Sequence, residues 1–187
     1  MQREGESVYH IVSECRSKVL AQREYKRRHD KIAQFIHWEL CGKFDMERGR
    51  NWYSHKPEGI TETVEVKILD IMIQCDRMVE HCKPDIVVVM KREKRCMIVD
   101  VAVPGNTRVE GKEDEKVEKY QELRQEIVKL WGMKKVEVIA IVVGVLEAVS
   151  YRINDWLKRL DINIKVEHIQ KTVLLGSAQI LRRHLNM

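Results

Sequence analysis

Only three prolines and two phenylalanines occur among 187 residues, and aromatics make up 6% of the chain. A composition this poor in proline and rich in apolar and charged side chains excludes a low-complexity or disordered protein. No run approaches the roughly 18 uninterrupted apolar residues of a membrane span, and the polar start MQREGESVYH is not a signal peptide, so no membrane partner is expected. CxxC pairs are absent. The five cysteines sit among apolar neighbours (Cys75, Cys96) or alone (Cys15, Cys41, Cys82), which argues against a disulfide framework and for a reducing, intracellular compartment. Trp38, Trp52, Trp131 and Trp156 are too scattered for a base-stacking platform and read as core or loop anchors. What is present, 44% hydrophobic and 34% charged residues, fits one compact domain with an appendage.

The net charge of +5 is a mild lean toward an acidic partner, and its distribution says more. Between Arg16 and Lys31, seven Lys or Arg face only Glu24 and Asp30. This is either a solvated helix face or a patch that attracts a phosphate backbone through counterion release. From Val19 to Leu40 the apolar residues Tyr25, Ile32, Phe35, Ile36 and Leu40 recur at helical spacing, and Gly42 follows as a C-cap. Turn formers from Arg48 to Thr63 place a boundary near residue 60, giving a helical extension over 1–60 and a core over 61–187. In the core, strands are predicted at Val64–Cys75, Ile86–Lys91, Arg95–Val103 and Val136–Leu146. Helices are predicted at Asp114–Trp131, ended by Gly132, and at Ser150–Leu160, Glu167–Lys171 and Thr172–Leu185. The order implies an α/β fold, a mixed β-sheet flanked by helices.

Two of these apolar strands carry an aspartate, Asp85 and Asp100. If the intervening loop is centred between Arg92 and Glu93, Asp85 faces Asp100 across a hairpin. Like charges at that separation of roughly 4.5–5.5 Å destabilise the pair. A hard divalent cation between them reverses the sign, so the pair reads as a metal clamp. The competing reading is ordinary: Asp85 starts a strand after Pro84, and Asp100 caps another or pairs with a lysine. The loop KREK lacks Asn-Gly turn chemistry and does not fix the register. Beyond Pro104-Gly105, Lys116, Lys119 and Tyr120 open a helix able to swing back over the strand ends, with Lys116 and Tyr120 on one face. A lysine there stabilises negative charge developing on a phosphate, unless it is simply part of a solvated, charged helix start.

The ordered set HIVSEC, YKRRHD, KPDIVVV, IVDVAVP, EKVEKYQEL and VLLGSAQILRRHL resembles the restriction-like endonuclease domain at the C-terminus of non-LTR retrotransposon reverse transcriptase polyproteins, a branch of the PD-(D/E)XK nucleases. The resemblance spans essentially the whole chain. It implies a restriction-endonuclease-like core whose Asp85 and Asp100 bind Mg²⁺ (or Mn²⁺) and which nicks double-stranded DNA in the nucleus to prime reverse transcription. The partners it implies are the reverse transcriptase portion of the parent polyprotein and its RNA. The lysine would come from the following helix, Lys116 or else Lys119, because Ala102 stands where the wider superfamily places it. Arg23, Lys26, Arg27, Arg28, Lys31, Arg182 and Arg183 are the expected DNA-binding residues. Asp70 and Asp76 are further acidic candidates, read as structural. His10 and Cys15 match the second half of the family's Cys-Cys-His-Cys zinc knuckle. The upstream cysteines are missing, so zinc is expected only if those ligands exist elsewhere or His29 or Cys41 is recruited. That gap predicts a domain cut from a longer chain or a degenerate copy. The alternative function is an inactive or domesticated DNA-binding module of the same fold.

Overall fold

The computed structural model describes residues 7–13 and 19–185, with side chains from residue 22 onward in the second stretch. Helices α1 (Val8–Ser13) and α2 (Val19–Lys43) precede strands β1 (Ile60–Glu62), β2 (Val66–Leu69), β3 (Ile86–Met90) and β4 (Arg95–Ala102). Helices α3 (Val109–Lys119) and α4 (Gln121–Trp131) lead to β5 (Lys135–Val142), and α5 (Ile153–Leu160) and α6 (Val166–Leu185) follow. The strands form one sheet in chain order. The first four pair antiparallel. β5 returns parallel to β4 through α3 and α4, as a parallel pair requires a long crossover. This is the mixed sheet flanked by helices that the sequence predicts. Among the described residues, no helix is long and apolar enough to cross a membrane.

Strand alternation sorts the core into two layers. On one face, Val88, Met90, Met97 and Val99 pack with Ile32, Ile36 and Leu40 of α2, Trp156 of α5, and Ile169 and Val173 of α6. On the other, Val87, Val89, Cys96 and Ile98 meet Leu123 and Ile127 of α4. The helical extension therefore shares its core with the sheet. Because β3 and β4 are covered on both faces, they read as nearly continuous apolar runs, and an aspartate in them is conspicuous.

The β3–β4 hairpin has the predicted register: Ile86 opposes Val99 and Met90 opposes Arg95. A four-residue loop closes it with Lys94 in the left-handed region at φ 53°, which replaces the Asn-Gly turn the sequence lacks. Other boundaries move. The strand expected at Val64–Cys75 keeps only Val66–Leu69, and 70–85 is largely irregular, pinned by the Ile73 N–H to the Cys82 carbonyl at 2.8 Å. The single helix expected over 114–131 starts earlier and breaks at Tyr120, whose backbone leaves helical geometry (φ −101°, ψ 13°) as its side chain turns fully into the core. Gly132 ends α4 in the left-handed conformation that favours glycine, φ 59°. Glu167–Lys171 and Thr172–Leu185 are one helix, α6.

Glu113 belongs to a charged stretch that reads as solvated, yet it is fully buried. Its carboxylate accepts from Ser150 Oγ at 3.0 Å, Arg152 Nε at 2.8 Å and Trp156 Nε1, tying α3 to α5. Glu113→Ala removes the acceptor for two buried donors and is expected to cost about 1–3 kcal/mol, read as a lower urea midpoint at unchanged slope.

Candidate active site

Asp100 lies on the α3–α4 face of β4, the face that its even-numbered neighbours Cys96 and Ile98 share. It is nearly inaccessible to solvent at 3% exposure. The break after α3 brings two partners to it. Tyr120 Oη donates to Asp100 Oδ1, and the Lys116 ammonium abuts Oδ2. That second contact is an ion pair without hydrogen-bond geometry, so Oδ2 has a cationic neighbour but no hydrogen bond. Burial and then the charge of Asp100 push the Tyr120 phenol upward, which keeps it protonated and donating at neutral pH. The alternative between the two lysines is thereby narrowed: Lys116 reaches the carboxylate, whereas the Lys119 ammonium lies over the Tyr120 ring, 4.8 Å from its centroid.

Asp85 precedes β3 at the same end of the hairpin. Its Oδ2 accepts the Val101 N–H at 2.7 Å and lies 3.2 Å from His29 Nε2. His29, on α2, is the site residue that the sequence did not assign to this place. Its Nε2 also sits 3.1 Å from the Val101 carbonyl, and its Nδ1 3.1 Å from Asp30 Oδ1. Burial disfavours the imidazolium, but the hydrogen bonds and charges of Asp85 and Asp30 outweigh it and hold His29 up to about 9. Both ring nitrogens are then donors at neutral pH. For Asp85, burial opposes ionisation, while His29, the Val101 N–H and the field of Lys116 together hold its carboxyl below the ordinary carboxylate range. The two aspartates thus lie against separate basic side chains, His29 for Asp85 and Lys116 for Asp100.

Asp85 opens onto a cleft of about 340 Å³ that Asp30, Gln34, His37, His55, Lys56 and Asp70 also line. Asp70 is exposed, and partial burial in the cleft, helped by Asp85 and Asp30 and opposed by Lys83, pushes its carboxyl up. Asp76 is exposed in the irregular segment before β3. Helical spacing carries the α2 stripe of Gln34 and Asp30 on to Arg27, Lys26 and Arg23, all exposed, so a basic track continues from the cleft. Lys31 is half-buried. The ion pair between Arg183 and Glu24 sets the last turns of α6 beside the first turns of α2, which adds exposed Arg182 to the same end.

Arg28 does not belong to that track. It is 2% exposed, and its Nη1 donates to the Val12 carbonyl at 3.0 Å and to Ser177 Oγ at 2.8 Å, joining α1, α2 and α6. Gly176 makes room for it, since a Cβ there would meet Arg28 Cγ at 2.6 Å. The physical reason is position: residue 28 shares the α2 face of Ile32 and Phe35, so its charge is spent on helix packing. Arg28→Ala is therefore expected to lower the thermal midpoint, whereas Arg27→Ala, at an exposed position, leaves it nearly unchanged.

Of the zinc-knuckle pair, His10 is exposed on α1 and Cys15 lies outside the described residues. Cys41 is a fully buried thiol 3.4 Å from His37 Nδ1. No protein-family model matches the chain, and no curated protein matches it.

Proposed function

We propose that this chain is a metal-dependent endodeoxyribonuclease that hydrolyses a phosphodiester of double-stranded DNA. In this reading it acts in the nucleus, nicking target DNA so that the reverse transcriptase of a non-LTR retrotransposon, with its RNA, primes on the exposed end. The observation that carries the reading is the convergence of Asp85, Asp100 and Lys116 at one end of the β3–β4 hairpin, where sequence likeness to restriction-like endonucleases expects them. Asp85 and Asp100 offer hard carboxylate oxygens, one of them buried without a hydrogen bond, a donor set suited to Mg²⁺ or Mn²⁺. When bound, such an ion polarises the scissile phosphate and lowers the pKa of a water.

The chain's own groups do the rest. Tyr120 holds one oxygen of Asp100 by hydrogen bond, leaving the other for a cation. His29 and the Val101 N–H fix the orientation of Asp85. Lys116 places a compact positive charge against Asp100, from which it stabilises charge developing on a phosphate. Arg23, Lys26, Arg27 and Arg182 supply the track for the DNA backbone.

One observation favours a second reading, an inactive DNA-binding module. Each aspartate already has a cation in the protein, so the site is charge-compensated without any metal. Nicking of supercoiled plasmid separates the two. The nuclease converts it to open circle with Mg²⁺ and not with EDTA. Salt-sensitive DNA binding with no nicking in Mg²⁺ or Mn²⁺ establishes the inert module instead.

A further inference from the structure

A second cluster of ligand atoms lies at the other end of the same cleft. His37 and Cys41 are four residues apart on α2 and share one helix face, within the His-x₃₋₅ spacing used by zinc sites. His55 reaches them from the connection between α2 and β1, where it follows a short 3₁₀ turn at Trp52–Ser54. All three side chains are buried, and their ligand atoms lie within 4.8 Å of one another. His37 Nδ1 is 2.8 Å from His55 Nε2 and 3.4 Å from Cys41 Sγ. We propose that His37, Cys41 and His55 form a site for a borderline-soft divalent metal of the zinc class, which clamps the connection to α2 and leaves a fourth position facing the cleft.

The donor types carry the argument. One thiol and two imidazoles select zinc-like ions over the Mg²⁺ that suits carboxylates, so this site is chemically distinct from the aspartate pair. Burial and His55 hold His37 down to about 4, and burial with Arg48 lowers His55. A tetrahedral zinc separates nitrogen ligands by about 3.4 Å, given metal–nitrogen bonds near 2.0–2.1 Å. The two rings thus need to part by roughly 0.5 Å, while the sulfur, 3.4 Å from His37 Nδ1, is already near its place relative to that nitrogen.

Metal-free, the cluster is imperfectly satisfied. The Gly49 N–H donates to His55 Nδ1 at 3.2 Å, which leaves the ring hydrogen on Nε2, pointed at His37 Nδ1. The remaining His37 nitrogen, Nε2, is buried with no hydrogen-bond partner. Loading therefore has a defined proton balance. Cys41 gives up its thiol proton to solvent as the sulfur–metal bond forms. The His55 hydrogen moves from Nε2 to Nδ1, breaking the Gly49 bond, as its Nε2 and His37 Nδ1 bind the ion. The gain is a metal staple on the 16-residue connection 44–59, added to the contacts that already hold it: the Met46 N–H to the Cys41 carbonyl at 2.8 Å, Trp38 Nε1 to the Gly49 carbonyl at 2.7 Å, and Trp52 against Phe35.

Titration of the metal-free full-length chain with Co²⁺ tests this. A thiolate-to-cobalt charge-transfer band should appear together with the visible bands of a four-coordinate ion, saturate at one equivalent, and vanish when Zn²⁺ is added. Cys41→Ser should lose the charge-transfer band with an unchanged circular dichroism spectrum. His55→Gln, in the connection, should keep the band but bind at least about tenfold more weakly, a loss of 1.4 kcal/mol. An Asp85→Asn, Asp100→Asn double variant should retain the full cobalt spectrum, which keeps this test independent of the nuclease reading. No charge-transfer band in the parent, its persistence in Cys41→Ser, or unchanged affinity in His55→Gln overturns the assignment.

Discussion

Asp100→Asn should slow plasmid nicking by about 10²–10³-fold or more while the fold survives. The amide keeps the shape of the side chain and can still accept from Tyr120 Oη, so the packing of the α3–α4 break is preserved. What it loses is the negative charge that Lys116 faces and that a divalent cation requires. Asparagine is the better probe than alanine for this reason: both remove the charge that faces Lys116, 14% exposed, but alanine also deletes the acceptor of the buried Tyr120 hydroxyl, which costs stability of its own. A thermal midpoint measured beside the nicking rate separates the two effects. Nicking at the parental rate by folded Asp100→Asn would remove this residue from the chemistry.

The second large effect is a contrast between neighbours. Lys116→Ala should lose about 10²–10³-fold in nicking, the range seen when a preorganised charge aimed at the transition state is deleted. Lys119→Ala should stay near the parental rate, because its ammonium rests on the ring of Tyr120 and not on Asp100. The two lysines share a helix, a charge and a length, so the comparison controls for net charge and for the long-range field on DNA. The reverse order of effects would transfer the role to Lys119.

Much of this arrangement is legible in the sequence, and the reasons are local. A core strand that admits an aspartate advertises it, since β4 is otherwise apolar from Cys96 to Ala102, and centring the four-residue loop gives the Ile86–Val99 register that carries Asp85 to the same hairpin end as Asp100. Lys116 and Tyr120 are legible by their spacing on one helix face. The break that turns Tyr120 inward is not, because no glycine or proline marks it and the partner that Tyr120 meets, Asp100, is distant in sequence. His29 is hidden for a related reason: its partners, Asp85 and the Val101 carbonyl, are distant in sequence. Arg28 is the instructive failure. Charge counting treats Arg27 and Arg28 alike, yet one faces solvent and the other packs under α6, a difference that the apolar positions Ile32 and Phe35 on the same helix face encode. Glu113 misleads in the same way, as a buried carboxylate within a run of exposed ones.

The central claim is that the two carboxylates share one divalent cation, and calorimetric titration with Mg²⁺ tests it most directly. The hard ion does not favour the histidine and cysteine cluster, so heat reports the oxygen site. The account predicts one binding event in the parent chain, lost in both Asp85→Asn and Asp100→Asn. Mg²⁺ binding that survives either substitution, or no binding in the parent, would contradict it.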